Sequence, residues 1–109
     1  MAASPVVLLV SMKVKPESEE RFRKWFASPD HPGLRFSGMR QATRYKVLTG
    51  ADDNSPDYMT IYEFDDETSF HEYMASPERE RQMKFIEESW PEGRPYEVKW
   101  RLSFKDMNR

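Results

Sequence analysis

Pro5-Val6-Val7-Leu8-Leu9-Val10-Ser11-Met12-Lys13-Val14 is the stretch on which the fold turns. Side chains alternate across a pleated strand, so Val6, Leu8, Val10, Met12 and Val14 share one face without exception. Val7 and Leu9 occupy the other face, ahead of Ser11 and Lys13, which makes the start of the strand apolar on both sides. A strand buried on both faces belongs in the middle of its sheet. Far along the chain, Tyr96 to Phe104 alternates just as cleanly, with Val98, Trp100 and Leu102 opposite Lys99 and Arg101.

Two helical patterns and two further strands lie between these ends. The first helix starts near Lys15-Pro16-Glu17: proline suits a first turn, and Glu17, Glu19 and Glu20 complement the N-terminal dipole. Phe22, Trp25 and Phe26 follow as a core-facing stripe, and the Ser28-Pro29-Asp30-His31-Pro32-Gly33 segment stops the helix. A second strand is predicted from Gly38 to Leu48, with Met39, Tyr45 and Val47 on one face and Ala42 and Leu48 on the other. After a polar loop over 49–57 comes a third strand, Tyr58 to Phe64. Asp65-Asp66-Glu67 then caps a helix whose stripe is Phe70, Tyr73 and Met74. Ser76-Pro77-Glu78 restarts it, and Met83, Ile86 and Trp90 continue the apolar face until Pro91-Glu92-Gly93. The order strand-helix-strand-strand-helix-strand predicts an α+β domain over 1–109, with the helices on one face of a four-stranded antiparallel sheet.

Composition narrows the function classes. Charged residues make up 33% of the 109-residue chain and the net charge is −2, which gives no global pull towards nucleic acid or an anionic membrane. A local basic patch around Arg40, Arg44 and Lys46 is the one counter-indication. The absence of cysteine removes disulfides, thiol nucleophiles and thiolate metal sites. The longest apolar run, Val6 to Val10, is far short of the roughly 20 residues a membrane helix needs. A cytoplasmic protein is the expectation.

The apolar residues on both strand faces carry a second implication. Helices cover one side of the sheet, yet Val7, Leu9, Ala42, Met59 and Ile61 lie on the parity opposite their core-facing neighbours. A homodimer with its sheets packed face to face, about 10 Å apart, would bury them. Lys99 and Arg101 make that interface mixed rather than dry.

Trp25-Phe26, Asp30-His31-Pro32, Gly38, Arg44-Tyr45 and Tyr58-Met59-Thr60-Ile61-Tyr62-Glu63-Phe64 before an acidic helix start resemble the dimeric α+β barrel superfamily. The nearest likeness is to its EthD-like and antibiotic-biosynthesis-monooxygenase-like branches. This resemblance implies a ferredoxin-like βαββαβ fold and a pocket between sheet and helices for a hydrophobic, aromatic or polyketide-like molecule. It also implies monooxygenase or cyclase chemistry without a cofactor, carried by residue types found here as Trp25, Arg44, Tyr45 and Tyr62. Haem-degrading relatives place an asparagine near the first strand and a histidine on the second helix. This first strand has no asparagine and only His71 could take the second part, so no haem is expected.

His31 is the first candidate for proton transfer, since an unperturbed imidazole titrates near ~6.5, and Arg44 is the candidate stabiliser of an anion or enolate. His71 falls at the edge of the apolar helix stripe, where it could overlook a ligand or merely flank the core. Tyr45, Tyr58 and Tyr62 are expected to converge on one side of the sheet, as pocket walls or as a structural hydrogen-bond network. Two histidines with no ligand spacing argue for no metal. No Ser-His-Asp order or glycine-rich phosphate loop is present. Two readings stay open: an enzyme of this kind, and a non-catalytic ligand-binding or structural dimer of the same fold.

Overall fold

A computed structural model describes residues 4–28, 36–50 and 55–105. Strand β1 (Val6–Val14) leads through a 3-10 turn at Pro16–Ser18 into helix α1 (Glu19–Phe26). Strands β2 (Met39–Lys46) and β3 (Tyr58–Phe64) follow, then helices α2 (Glu67–Met74) and α3 (Pro77–Ser89), and strand β4 (Tyr96–Phe104). The sheet is antiparallel throughout, in the order β2-β3-β1-β4. The α+β architecture expected from the sequence is therefore the one observed, with doubly apolar β1 in a central position. Among the described residues no helix is long and apolar enough to cross a membrane.

Side-chain alternation in β1 decides which face the helices cover. Val6, Leu8, Met12 and Val14 are buried, and their packing partners divide into two clusters. Met12, Val14, Tyr58 and Tyr96 pack with Phe22 and Phe26 of α1 and with Ile86 and Trp90 at the end of α3. Val6, Leu8, Tyr62 and Phe64 pack with Phe70 and Tyr73 of α2. The restart at Ser76 is a true break: the Ser76 hydroxyl accepts from the Arg79 backbone N–H at 3.2 Å and donates to the Tyr73 carbonyl at 2.6 Å. One long helix would have carried a single straight stripe. The break instead lets α2 and α3 cover different parts of the sheet.

Strand β2 departs from the sequence reading. Its extent is shorter than 38–48, and one extra residue is inserted where Met39 pairs with Phe64 but Gln41 pairs with Glu63. Such a bulge reverses the parity of everything beyond it. Met39 packs with the helix-side cluster, whereas Tyr45 pairs with Met59 on the uncovered face, so the two do not share a side. Ala42 pairs with Tyr62 and belongs to the helix side, not with Val7 and Leu9. The basic patch also dissolves. Arg40 pairs with Asp65 at 2.7 Å and Lys46 with Glu19 at 3.2 Å, while Arg44 turns towards the interior.

Candidate functional site

The two core clusters do not meet everywhere, and a cavity of about 350 Å³ lies between sheet and helices. Its floor is Leu8, Val10 and Met12 of β1, with Thr60 and Tyr62 of β3 beside them. Trp25 and Phe26 of α1, Tyr73 and Met74 of α2, and Met83 and Ile86 of α3 supply the walls. Val98 and Trp100 of β4 line it too, yet are 39% and 56% exposed, so the cavity opens along this edge strand. Small-molecule pockets span roughly 300–1,000 Å³. This one suits a compact ring system.

Polar groups gather at one end of the apolar space. The Tyr73 hydroxyl donates to Gln82 Oε1 at 2.6 Å, and both residues are buried. Gln82 and Thr60 line the cavity together with the Tyr62 phenol. Burial pushes that phenol above its ordinary value, and the polar groups of Gln82 and Thr60 with the positive charges of Arg44 and Arg79 partly offset the push. Burial likewise raises Tyr73 and Tyr96. These phenols are neutral donors near neutral pH.

Arg44 reaches this end because it pairs with Thr60 across the strands and so shares the helix-facing side. Its Nη1 donates to the Phe26 carbonyl at 2.7 Å, and the guanidinium stands 5.3 Å from the centre of the Phe26 ring. The C-terminal carbonyl of α1 thus fixes the cation at the wall. Arg79 and Arg94 complete the charged lining, and among the described residues no carboxylate lines the cavity.

Of the residues singled out from sequence, Trp25, Arg44 and Tyr62 come together around this space. Tyr45 does not: the bulge turns it to the opposite face, where it is 47% exposed. Tyr58 shares the Tyr62 face but lies outside the lining, bonded to Glu19 Oε1 at 2.8 Å. His71 also falls outside. Phe70 and Tyr73 take the inward phase of α2, so the His71 side chain is 65% exposed and sits 3.3 Å from Glu67 Oε2, one turn back. His31 lies outside the described residues. Among the described residues no three His, Asp or Glu side chains cluster as metal ligands would.

Thr60, Tyr73, Arg79, Gln82, Arg94 and Trp100 were not singled out from the sequence as site residues. A signal existed for two of them. Arg79 and Gln82 share helical phase with Met83 and Ile86, the apolar stripe of α3, so each is a polar group on the inward face.

No protein-family model matches the chain, and no curated protein is similar to it in sequence. Solved structures do resemble it. A dabb family protein with a ferredoxin-like fold from Mesorhizobium loti superposes with TM-score 0.63 at 14% identity, covering 94% of this chain and 98% of that one. An ethyl tert-butyl ether d (EthD) family protein from Bacillus halodurans gives 0.60 at 16%, covering 88% and 96%. SnoaB, a cofactor-independent oxygenase from Streptomyces nogalater, gives 0.51 at 15%, covering 98% and 100%. Likeness at such identities speaks to the backbone alone: the chain has a ferredoxin-like α+β fold.

Proposed function

We propose that the chain is a small homodimeric enzyme that binds a hydrophobic, aromatic or polyketide-like molecule between its sheet and helices. Its chemistry would be of the cofactor-independent monooxygenase or cyclase kind. The observation that carries this reading is an apolar cavity open to solvent on one side, with a guanidinium and a buried neutral phenol at its polar end. The EthD family neighbour and the cofactor-independent oxygenase SnoaB share the fold and support the reaction class as an analogy.

Catalysis would begin with removal of a proton from a carbon conjugated to a substrate carbonyl. Negative charge then develops on the carbonyl oxygen, where Arg44 supplies a fixed cation and Tyr62 a hydrogen-bond donor. Arg44 is anchored before substrate arrives by the Phe26 carbonyl, and Tyr62 is held in place by its burial in the core. The carbanion is the species that attacks dioxygen in a monooxygenase, or a second carbonyl of the same molecule in a cyclase. His31 stands, on the sequence, as the group that takes the proton.

Anthrone is a suitable probe: a flat ring system with an acidic carbon conjugated to a carbonyl, oxidised by one dioxygen to anthraquinone and water. The purified protein should accelerate dioxygen uptake with anthrone. Arg44→Ala and Tyr62→Phe should each lower kcat by about 10²–10³-fold with smaller changes in KM. His31→Ala should cost about 10²–10⁴-fold if His31 moves the proton. Saturable anthrone binding with no acceleration would instead favour the non-catalytic ligand-binding dimer.

A further inference from the structure

We infer that the cavity selects a ligand whose apolar ring body carries a carboxylate, and that Arg79 is the residue that recognises it. This inference rests on the reading of the cavity as a small-molecule site and specifies the chemistry of what enters.

Charge is distributed unevenly between the cavity and the rest of the molecule. The chain holds 19 acidic against 17 Lys and Arg side chains, yet among the described residues three arginines and no carboxylate line the cavity. Elsewhere many cations are answered, Arg21 by Glu92, Lys24 by Glu20, Arg40 by Asp65, Lys46 by Glu19 and Arg81 by Glu78, while Lys15, Arg23, Lys84, Lys99 and Arg101 are exposed to water. Arg79 and Arg94 make no side-chain ion pair with any described residue, and Arg94 makes only a weak contact of 4.0 Å to Met83 Sδ among them. The neighbouring phenols cannot serve as counter-ions, since burial keeps Tyr62, Tyr73 and Tyr96 protonated.

Position makes Arg79 the more telling of the two. It lies in the first turn of the 13-residue α3, capped by Ser76, where the helix dipole already presents positive charge and the two acids of that turn, Glu78 and Glu80, lie outside the cavity lining. A cation there adds to that potential and loses stability by it. Arg44 contributes further positive charge, for both arginines act on the Tyr62 phenol. The sum is a half-buried positive pole with apolar walls, which a planar carboxylate on an aromatic body would match. Arginine binds such a group through two parallel N–H donors, and the reduced access of water strengthens the pair.

The test compares 2-naphthoate with its neutral isostere 2-naphthamide by titration calorimetry on the full chain. The carboxylate should bind at least about tenfold more tightly than the amide. Arg79→Gln should bring that preference below about threefold while leaving amide affinity unchanged, and Arg79→Lys should retain part of it. Arg81→Gln, on the same helix but outside the cavity, should change nothing. Equal affinity of the native chain for the two probes, or a preference that survives Arg79→Gln, would overturn the inference and leave the small-molecule site standing. Failure of both probes to bind would overturn the cavity reading itself, and the inference with it.

Discussion

At Gly38 the backbone takes φ +96°, and a Cβ built there would lie 2.8 Å from Ser69 Oγ and 3.0 Å from Ser69 Cβ. The Gly38 carbonyl also accepts from the Asp65 N–H at 2.8 Å, tying the entry of β2 to the turn after β3. Gly38→Ala therefore meets two penalties: a left-handed conformation costs a residue with a Cβ about 1–2 kcal/mol, and the Ser69 side chain must also yield. Urea denaturation should show a loss of about 1–3 kcal/mol; an unchanged midpoint would contradict the geometry. This glycine was legible as the entrance to strand two. The course of the strand beyond it was not, because a bulge at Arg40 leaves no mark in a hydrophobic pattern. Alternation read straight through the bulge put Tyr45 beside Tyr62, and a single inserted residue puts them on opposite faces.

Elements were the most legible scale, and their caps explain why. Asp66 accepts from the Ser69 N–H at 2.7 Å to start α2, and Ser76 does the same for Arg79 at 3.2 Å to start α3, as the sequence pattern predicts. The two caps should respond differently to acid. Hydrogen bonding from Ser69 holds the Asp66 carboxyl below its usual range. The unfolded chain therefore binds that proton more readily, so the contribution of Asp66 is present above the ordinary carboxylate pKa and is lost as pH falls through the lowered one. The Ser76 hydroxyl does not titrate. In thermal melts Ser76→Ala should cost about 1 kcal/mol at every pH, whereas the deficit of Asp66→Ala should be clear at neutral pH and should shrink below about pH 3. Parallel curves for the two variants would rule out an ionised cap at Asp66. The faces of these helices were only half legible. Phe70, Tyr73 and Ile86 mark the buried stripe, but alternating charges across α3 conceal that Arg79 and Gln82 fall in phase with it.

The whole molecule has one covered and one uncovered sheet face, and the residues on the latter set the terms of association. Leu9 pairs with Ile61 on one side and Arg101 on the other, while Val7 and Met59 flank them on the same face. None of these four apolar side chains is fully buried in a single chain, and Tyr45 beside Met59 is 47% exposed. Contiguous apolar groups on a flat sheet are a surface for association. Two copies packed face to face would bury them, and Lys99 and Arg101 would find water or partner acids at the rim. Sequence alternation showed that both faces are apolar. It could not show that Val98 and Trp100 of β4 stay exposed while Tyr96 is buried under the helices, because the cover a helix gives a strand depends on the offset between the layers. The cavity opening beside Trp100 results from that offset. Association through the opposite face would leave the cavity alone, so the two properties can be tested separately. Ile61→Glu, between Leu9 and Thr43 on this face, would put two carboxylates without a cross-strand cation into each dimer, at several kcal/mol if both stay buried, while leaving the cavity lining untouched. Sedimentation should give twice the 13.0 kDa chain mass for the native protein and the single mass for Ile61→Glu, with native circular dichroism in both. A native chain that stays at the single mass at high concentration would overturn the dimer and leave the cavity to be judged by its ligand alone.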